Sequence, residues 1–422
     1  MLISFFTGVQ FYLFILIVFT ALFWIIPQRF QWVSFVATVL LFTYMAYMLV
    51  PDLTDDLHSY FYFINDFRKN GYGNFLWHVR ENHFDWKTYR ASAYFFYFIS
   101  KLPNNHFLPA LTIFVAYGSS CLVLNDASVR FDVDRFHTYV GSMFFFATYW
   151  FFDTASGIRN GFAFSLAFAA SYFHIVVRKY LPVCIIAYLI AAFFHSAGIM
   201  PIIIVVITMI TLRVPGKFIN VLLIFGIAGG AAVVNYLSTK TDNGFIKTAA
   251  EKSQHYGENY ELGNNMLSDT GTMFKVNIVI TVLVTLLLFY VVEYFKKSNY
   301  PEEMFRLEKL TSSTLYFMIG AVAVGLIFVR FARWILPVLG GVIFMTGMQF
   351  QKNEIDSKGV ADTMYFAEPI ERVKYKARPV VITLFVIFTL VHIWYQCNGS
   401  SLIWTHFEHE WLDAGFGDDF LW

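Results

Sequence analysis

The feature that most constrains this chain is a succession of long apolar runs, each close to the length a helix needs to cross a bilayer. A hydrocarbon core of about 30 Å takes about 20 residues of helix. Runs near that length occur at 3–26, 32–50, 106–124, 137–156, 158–176, 218–237, 276–295, 314–329, 331–348 and 379–397. The run from 181 to 212 is too long for one span, and His195-Ser196-Ala197-Gly198 and Pro201 interrupt it, which predicts two short helices meeting at a membrane face. Residues 93–101 are apolar but too short to cross, which predicts an interfacial or re-entrant piece. The reading is an all-α polytopic membrane protein with about 12 transmembrane helices.

Composition agrees, because 58% hydrophobic residues with only 14% charged ones would leave a water-soluble domain covered in apolar patches. With 30 Lys+Arg against 29 Asp+Glu the net charge is +1, which gives no basis for nucleic-acid binding. Cys121, Cys184 and Cys397 show no metal or disulfide spacing and read as packing residues. The first apolar run lacks a basic flank and a cleavage site and is expected to be retained. Residues 1–397 form a single transmembrane domain with outward loops at 51–105 and 238–275, and 398–422 form a C-terminal tail. With 51–105 outward, Arg29, Arg130, Arg135, Arg178, Lys179, Arg213, Lys217 and the charged segments 296–313 and 349–378 fall inside, as the positive-inside rule requires. Both termini then face outward. Arg159, Arg330 and Arg333 are the basic residues left in short outward connections.

An arginine beside hydrocarbon costs about 2.5 to 3.5 kcal/mol on insertion scales, so those kept there face a cavity or a partner. Arg330 and Arg333 stand at i, i+3 in GLIFVRFARWILP, on one face of a helix, where two forks can clamp a diphosphate. Snorkelling to the headgroup layer is the plainer alternative. Arg159 follows Thr154-Ala155-Ser156-Gly157-Ile158, where a helix break would aim free N–H groups and the positive dipole end at the same spot, with Asn160 next to it. His195 lies in AAFFHSAGIMP, where an imidazole can act as acid, base or phosphate donor, or serve as a packed hydrogen-bond partner. Asp52, Asp56 and Tyr60 share a helix face at i, i+4, i+8 where the chain leaves the membrane after the second run. A carboxylate there can activate a hydroxyl or the cluster can hold a cation, and helix capping by Thr54 or Asp55 is the plain alternative. The aromatics of this loop, Tyr72, Phe75, Trp77, Phe84, Trp86 and Tyr89, suit an interfacial belt or sugar stacking.

In this order, Asp56 and Tyr60 after an early span, Gly157-Ile158-Arg159-Asn160 opening a span, Phe194-His195-Ser196-Ala197, then Arg330 with Arg333, the chain resembles the EpsG family, Wzy-type exopolysaccharide or O-antigen polymerases of bacteria. It departs from the family pattern at Lys87-Thr88-Tyr89-Arg90-Ala91 and in the late motif, where Trp334 stands nearest the usual tyrosine. The resemblance implies a GT-C-like membrane glycosyltransferase of the bacterial cytoplasmic membrane. Such an enzyme transfers undecaprenyl-diphosphate-linked glycan to a lipid-linked repeat unit at the outer face, without a cofactor or metal, alongside flippase and chain-length regulator proteins. Asp56, His195 and Arg159 would then be catalytic, with Arg330, Arg333, Tyr60, Asp52 and Asn160 binding substrate. An O-antigen-ligase-like glycosyltransferase uses the same donor, and a flippase or transporter of a lipid-linked or anionic substrate, or a membrane acyltransferase with His195 as base, remain open alternatives.

Overall fold

The computed structural model describes residues 8–51, 56–213, 236, 240, 272–292, 301–321, 325–358 and 369–399. The apolar run at 218–237, the outward segment 238–275 except its last residues, the tail beyond 399 and Asp52 lie outside them or nearly so. Every regular element among the described residues is a helix: α1 (Gly8–Ile25), α2 (Trp32–Tyr47), α3 (Asp56–Arg80), α4 (Arg90–Ile99), α5 (Phe107–Arg130), α6 (Arg135–Thr148), α7 (Phe151–Ser156) and α8 (Ile158–Tyr172). There follow α9 (Leu181–Phe194), α10 (Ile199–Thr211), α11 (Thr272–Val292), α12 (Glu302–Ala321), α13 (Gly325–Trp334), α14 (Leu336–Lys358) and α15 (Pro369–Gly399).

Four of these segments are long and apolar enough to cross a membrane among the described residues: Gly8–Ile25, Phe107–Arg130, Ile158–Val177 and Arg378–Cys397. Others, such as Trp32–Tyr47 and Val279–Val292, are apolar but shorter. A 16-residue helix such as α2 rises about 24 Å, short of the hydrocarbon thickness. The expected break in the 181–212 run is present: α9 stops at Phe194, His195 turns extended at φ −160° and ψ 145°, and a 3₁₀ turn over Ser196–Gly198 leads into α10. Residues 93–99 fall in α4, which at 10 residues does not cross, and Ser100 and Lys101 follow its end.

The run at 137–156 is not one helix. α6 ends at Thr148 and Tyr149 and Trp150 are extended before α7 begins. The cause is side-chain capture of the backbone, since the Tyr149 carbonyl accepts from the Tyr117 hydroxyl at 3.2 Å and from Gln396 Nε2 at 3.4 Å. A carbonyl satisfied from α5 and α15 no longer needs the helical ladder.

α5 is the central strut, packed against α2, α8 and α14, while α6 lies against α14 and α15. The α6–α14 crossing depends on facing glycines: a Cβ on Gly141 would come within 2.6 Å of the Gly341 carbonyl oxygen, and one on Gly341 within 2.6 Å of that of Gly141. Such small-residue contacts replace a hydrophobic driving force between helices in lipid. α8 continues as a π-turn over Phe173–Val177 and stops at Arg178, which is left-handed at φ 56°. There Arg306 of α12, itself buried, donates through Nε (3.0 Å) and Nη2 (2.8 Å) to the Val176 carbonyl. Arg135 closes α1 in the same way, donating to the carbonyls of Phe23 and Ile26. These basic side chains supply donors where helix C-termini leave carbonyls unmet.

Candidate functional site at the α7–α8 junction

The opposite end of α8 begins at a break made by small residues. Gly157 ends α7, and a Cβ on it would stand 2.5 Å from the Asp153 carbonyl oxygen. A Cβ on Gly161 would fall 2.7 Å from the Thr154 methyl, so α7 can lie against the first turn of α8 only because both positions are glycine. No side chain among the described residues caps the α8 N-terminus. The Asn160 and Gly161 N–H groups donate to the Gly157 carbonyl at 3.0 and 3.2 Å, so the N–H groups of Ile158 and Arg159, with the positive end of the dipole, are what the helix start directs toward the region where Arg159 emerges.

Arg159 is half-buried and has a defined pair of acceptors. Its Nε donates to the Tyr60 hydroxyl at 3.3 Å and its Nη1 to the Phe84 carbonyl at 2.5 Å, with the guanidinium 5.6 Å from the Phe84 ring. Nη2 has no hydrogen-bond partner among the described residues. The Phe84 carbonyl is aimed by an unusual turn, in which Asn82 (φ 58°), Phe84 (φ 49°) and Asp85 (φ 58°) are all left-handed. A bulky residue in that region is a true outlier, and such residues cluster at functional sites. The Asn82 side chain helps hold the turn by accepting from the Lys87 N–H at 3.0 Å.

Tyr60 is almost fully buried, packed on Phe84 (5.1 Å between centroids) and Phe96 (4.8 Å). Burial pushes its phenol above the usual tyrosine value; the Arg159 charge opposes that shift and Asp56 adds to it. The phenol therefore keeps its proton at neutral pH and, while accepting from Arg159, can still donate to an anion. Asp56 is the first residue of α3, exposed, one turn before Tyr60.

His195 is buried at the α9 terminus, with its ring 5.8 Å from that of Tyr89. Tyr89 closes the same segment whose carbonyl at Phe84 meets Arg159, so residues 82–89 link the two. Nearby, Phe162, Phe194 and Phe95 form an aromatic cluster, the first two stacked at 4.3 Å. Asn160 has its side-chain Oδ1 buried without a hydrogen-bond partner among the described residues.

On the other side of the junction, α13 carries both Arg330 and Arg333, as the spacing predicts. Arg333 is committed, with Nη1 3.1 Å from Asp153 Oδ2 and its guanidinium 4.3 Å over the Trp150 ring. Trp334 fastens α13 to α7 by donating from Nε1 to the Thr154 hydroxyl at 3.0 Å, and it stacks on Phe164 of α8. Arg330 is half-buried one turn earlier. The structure thus gathers Asp56, Tyr60, Arg159 and, through one loop, His195 on one side, and Arg333 with Asp153 on the other. Arg159 itself makes no contact with His195 or Arg333 through hydrogen bonds among the described residues. Asp52 is outside them.

Asp153, Trp150, Phe84 and Tyr89 hold these residues, and of them only Phe84 and Tyr89 stood out in the sequence, as members of an aromatic belt. The signal for Asp153 was available: a carboxylate inside an apolar run is costly and is kept for a partner. No three of His, Cys, Asp or Glu stand close enough to share a metal ion among the described residues.

A family model described as the EpsG family matches residues 32–355, a stretch that contains every candidate side chain named above. No curated protein and no solved structure matches the chain.

Proposed function

The chain belongs to the EpsG family, and from that membership we propose that it is a membrane polysaccharide polymerase. In this reading it takes undecaprenyl-diphosphate-linked glycan as donor and a second lipid-linked repeat unit as acceptor, at the outer face of the bacterial cytoplasmic membrane. The observation that carries the reading is Arg159 at an uncapped helix N-terminus, braced by Tyr60 and the Phe84 carbonyl, with one guanidinium nitrogen uncommitted.

A diphosphate on a lipid arrives with its charge at the interface. Arg159, the Tyr60 hydroxyl and the α8 N–H groups would receive it, with Asn160 beside them. The bond from the anomeric carbon to the diphosphate oxygen breaks and leaves its electron pair on the diphosphate. The acceptor hydroxyl oxygen forms the new bond and its proton passes to Asp56. Fixed cationic and N–H groups lower the barrier because negative charge grows on the leaving group as that bond breaks. His195 supports leaving-group departure across the Tyr89 turn. Arg330 and Arg333 hold the far side of the diphosphate, which requires Arg333 to exchange the Asp153 carboxylate for a phosphate oxygen. Asp52 would extend the acidic face for the acceptor. The reading requires no cofactor or metal, and it places flippase and chain-length regulator proteins beside the chain.

The test is Arg159→Gln in cells that make the polymer. Long-chain polymer should fall by about 10² to 10³, the usual cost of removing one charge-stabilising donor, while protein level and single repeat units persist. Unchanged chain length sinks the proposal. Transfer of glycan to a different carrier would identify a ligase, and movement of the lipid-linked substrate without a covalent change would identify a flippase.

A further inference from the structure

α8 with its π-turn spans Ile158–Val177, 20 residues and about 30 Å, so its two ends stand one membrane thickness apart. Arg159 occupies one end. At the other is a cavity of about 330 Å³ whose polar lining is His174, Arg178, Lys179 and Arg213. The end of α8, the start of α9 and the end of α10 all contribute. One part of the wall is apolar and the other carries three cations and an imidazole.

Cations at this end of the bundle have uses that explain them elsewhere. Arg135 and Arg306 close helix C-termini, and Lys352 pairs with Asp134 at 2.9 Å. Lys179 and Arg213 have no side-chain partner among the described residues, although both line the cavity and are exposed. Arg178 is paired with Glu302 at 2.9 Å, but the two side chains are 56% and 66% exposed, and Glu302 has a second partner in Arg306 at 2.6 Å that it keeps if Arg178 leaves. A pair that open holds little free energy and yields readily to a stronger anion. His174 faces Tyr188, with 3.4 Å from the hydroxyl to Nδ1, which leaves Nε2 as the second polar atom of the ring.

We propose that this cavity is a binding site for a phosphate group, distinct from the Arg159 site and independent of the polymerase reading. The phosphate is held by Lys179, Arg213 and Arg178, and the apolar wall of Ile175, Leu181, Met209 and Leu212 receives the hydrocarbon of an anionic lipid that bears it. Free phosphate offers the same head chemistry without that hydrocarbon.

The full chain in neutral detergent is titrated with short-chain phosphatidylglycerol, with phosphatidylcholine of equal chain length and with inorganic phosphate, and binding is read by native mass spectrometry and by the rise in melting temperature. Phosphatidylglycerol should saturate where phosphatidylcholine does not. Phosphate binding as tightly as the anionic lipid would make the ligand a free phosphate, and binding much more weakly would make it the lipid. Lys179→Gln with Arg213→Gln should weaken phosphatidylglycerol binding roughly 30-fold, and each alone about fivefold, since a basic side chain near an anionic surface contributes on that scale. Arg29→Gln, an exposed cation outside the cavity, should change nothing. Equal binding of the two lipids overturns the proposal, as does a double variant that melts like the parent without ligand and still binds phosphatidylglycerol as the parent does.

Discussion

Arg159 has two fixed acceptors of different kinds, a phenol and a backbone carbonyl, and the difference bears on what substitutions will do. Tyr60→Phe removes one hydrogen bond worth about 1 kcal/mol and leaves the packing on Phe84 and Phe96, so polymer synthesis should slow about five- to tenfold at normal protein level; an unaltered rate would mean the hydroxyl takes no part. Arg159 and Tyr60 were legible in the sequence because a charge beside a glycine break and a tyrosine one turn beyond an acidic residue are local patterns. The Phe84 carbonyl was not, since a backbone oxygen leaves no trace in residue type and its aim depends on three left-handed residues. Asp153 was overlooked in an apolar stretch, and with it the fact that Arg333 already holds a carboxylate. Farther from the junction, Asp66 of α3 accepts from Asn70 (2.7 Å), Asn74 (2.5 Å) and His78 (2.7 Å). Burial raises this carboxyl, but the hydrogen bonds from Asn74, His78 and Asn70 outweigh it and hold Asp66 below the usual carboxylate range. A lowered folded-state value means the stabilisation is complete above the ordinary carboxylate pKa and disappears as pH falls through the folded one. Emission of the buried Trp86 should therefore stay constant from neutral pH to below pH 4 and change only at stronger acid. Asp66→Asn should remove that late transition.

At the level of elements, the fold was readable wherever a helix is decided by its own sequence. The end of α1 and the boundaries of α2 follow the apolar runs closely, α5 starts with its run but continues past residue 124 to Arg130, and the pair α9 and α10 meets at His195 as small residues and a proline would dictate. The separation of α6 from α7 was not readable, because Tyr149 leaves the helix for donors on α5 and α15, far away in sequence. Arg330 and Arg333 share one helix as the spacing required, but that helix ends at Trp334, and a new one begins at Leu336. Close approach at glycine gives a direct test. Gly141→Val sets a side chain against the α14 backbone, and overpacking of this kind costs about 1 to 3 kcal/mol. A lower melting temperature in detergent should result, with no preferential loss of the Arg159 contacts. Gly157→Val pushes on the Asp153 carbonyl, so it should lower polymer yield more than it lowers melting temperature. An equal response of the two variants in both measurements would count against Gly157 as the hinge of the site.

For the molecule as a whole, α8 sets the scale, with the Arg159 site at its start and the basic cavity at its end. Exposed positions near the two ends should be reached from opposite sides of a sealed vesicle. A cysteine replacing Trp77 of α3, which is 52% exposed, should react with an impermeant maleimide from one side only, and a cysteine replacing Lys179 from the other only. Labelling of both from the same side would contradict the placement of the two sites. Composition alone showed that lipid surrounds this protein. What composition and run lengths do not give is the number of crossings, because a helix such as α2 is apolar enough for the bilayer and still too short to reach both sides by itself.

The turn from Asn82 to Asp85 holds Phe84 in a left-handed conformation that disfavours a bulky side chain, at about 1 to 3 kcal/mol, while Asn82 and Asp85 are residue types that tolerate it. Glycine at position 84 would relieve the tension and let the segment relax, yet it would also loosen the oxygen that steadies Arg159 and delete the ring beside it. Heat tolerance and chain length should accordingly both fall in Phe84→Gly, because losing the ring packed on Tyr60, Phe63 and Trp86 outweighs the tension relieved; a variant that melts higher than the parent would show the tension to be the larger of the two.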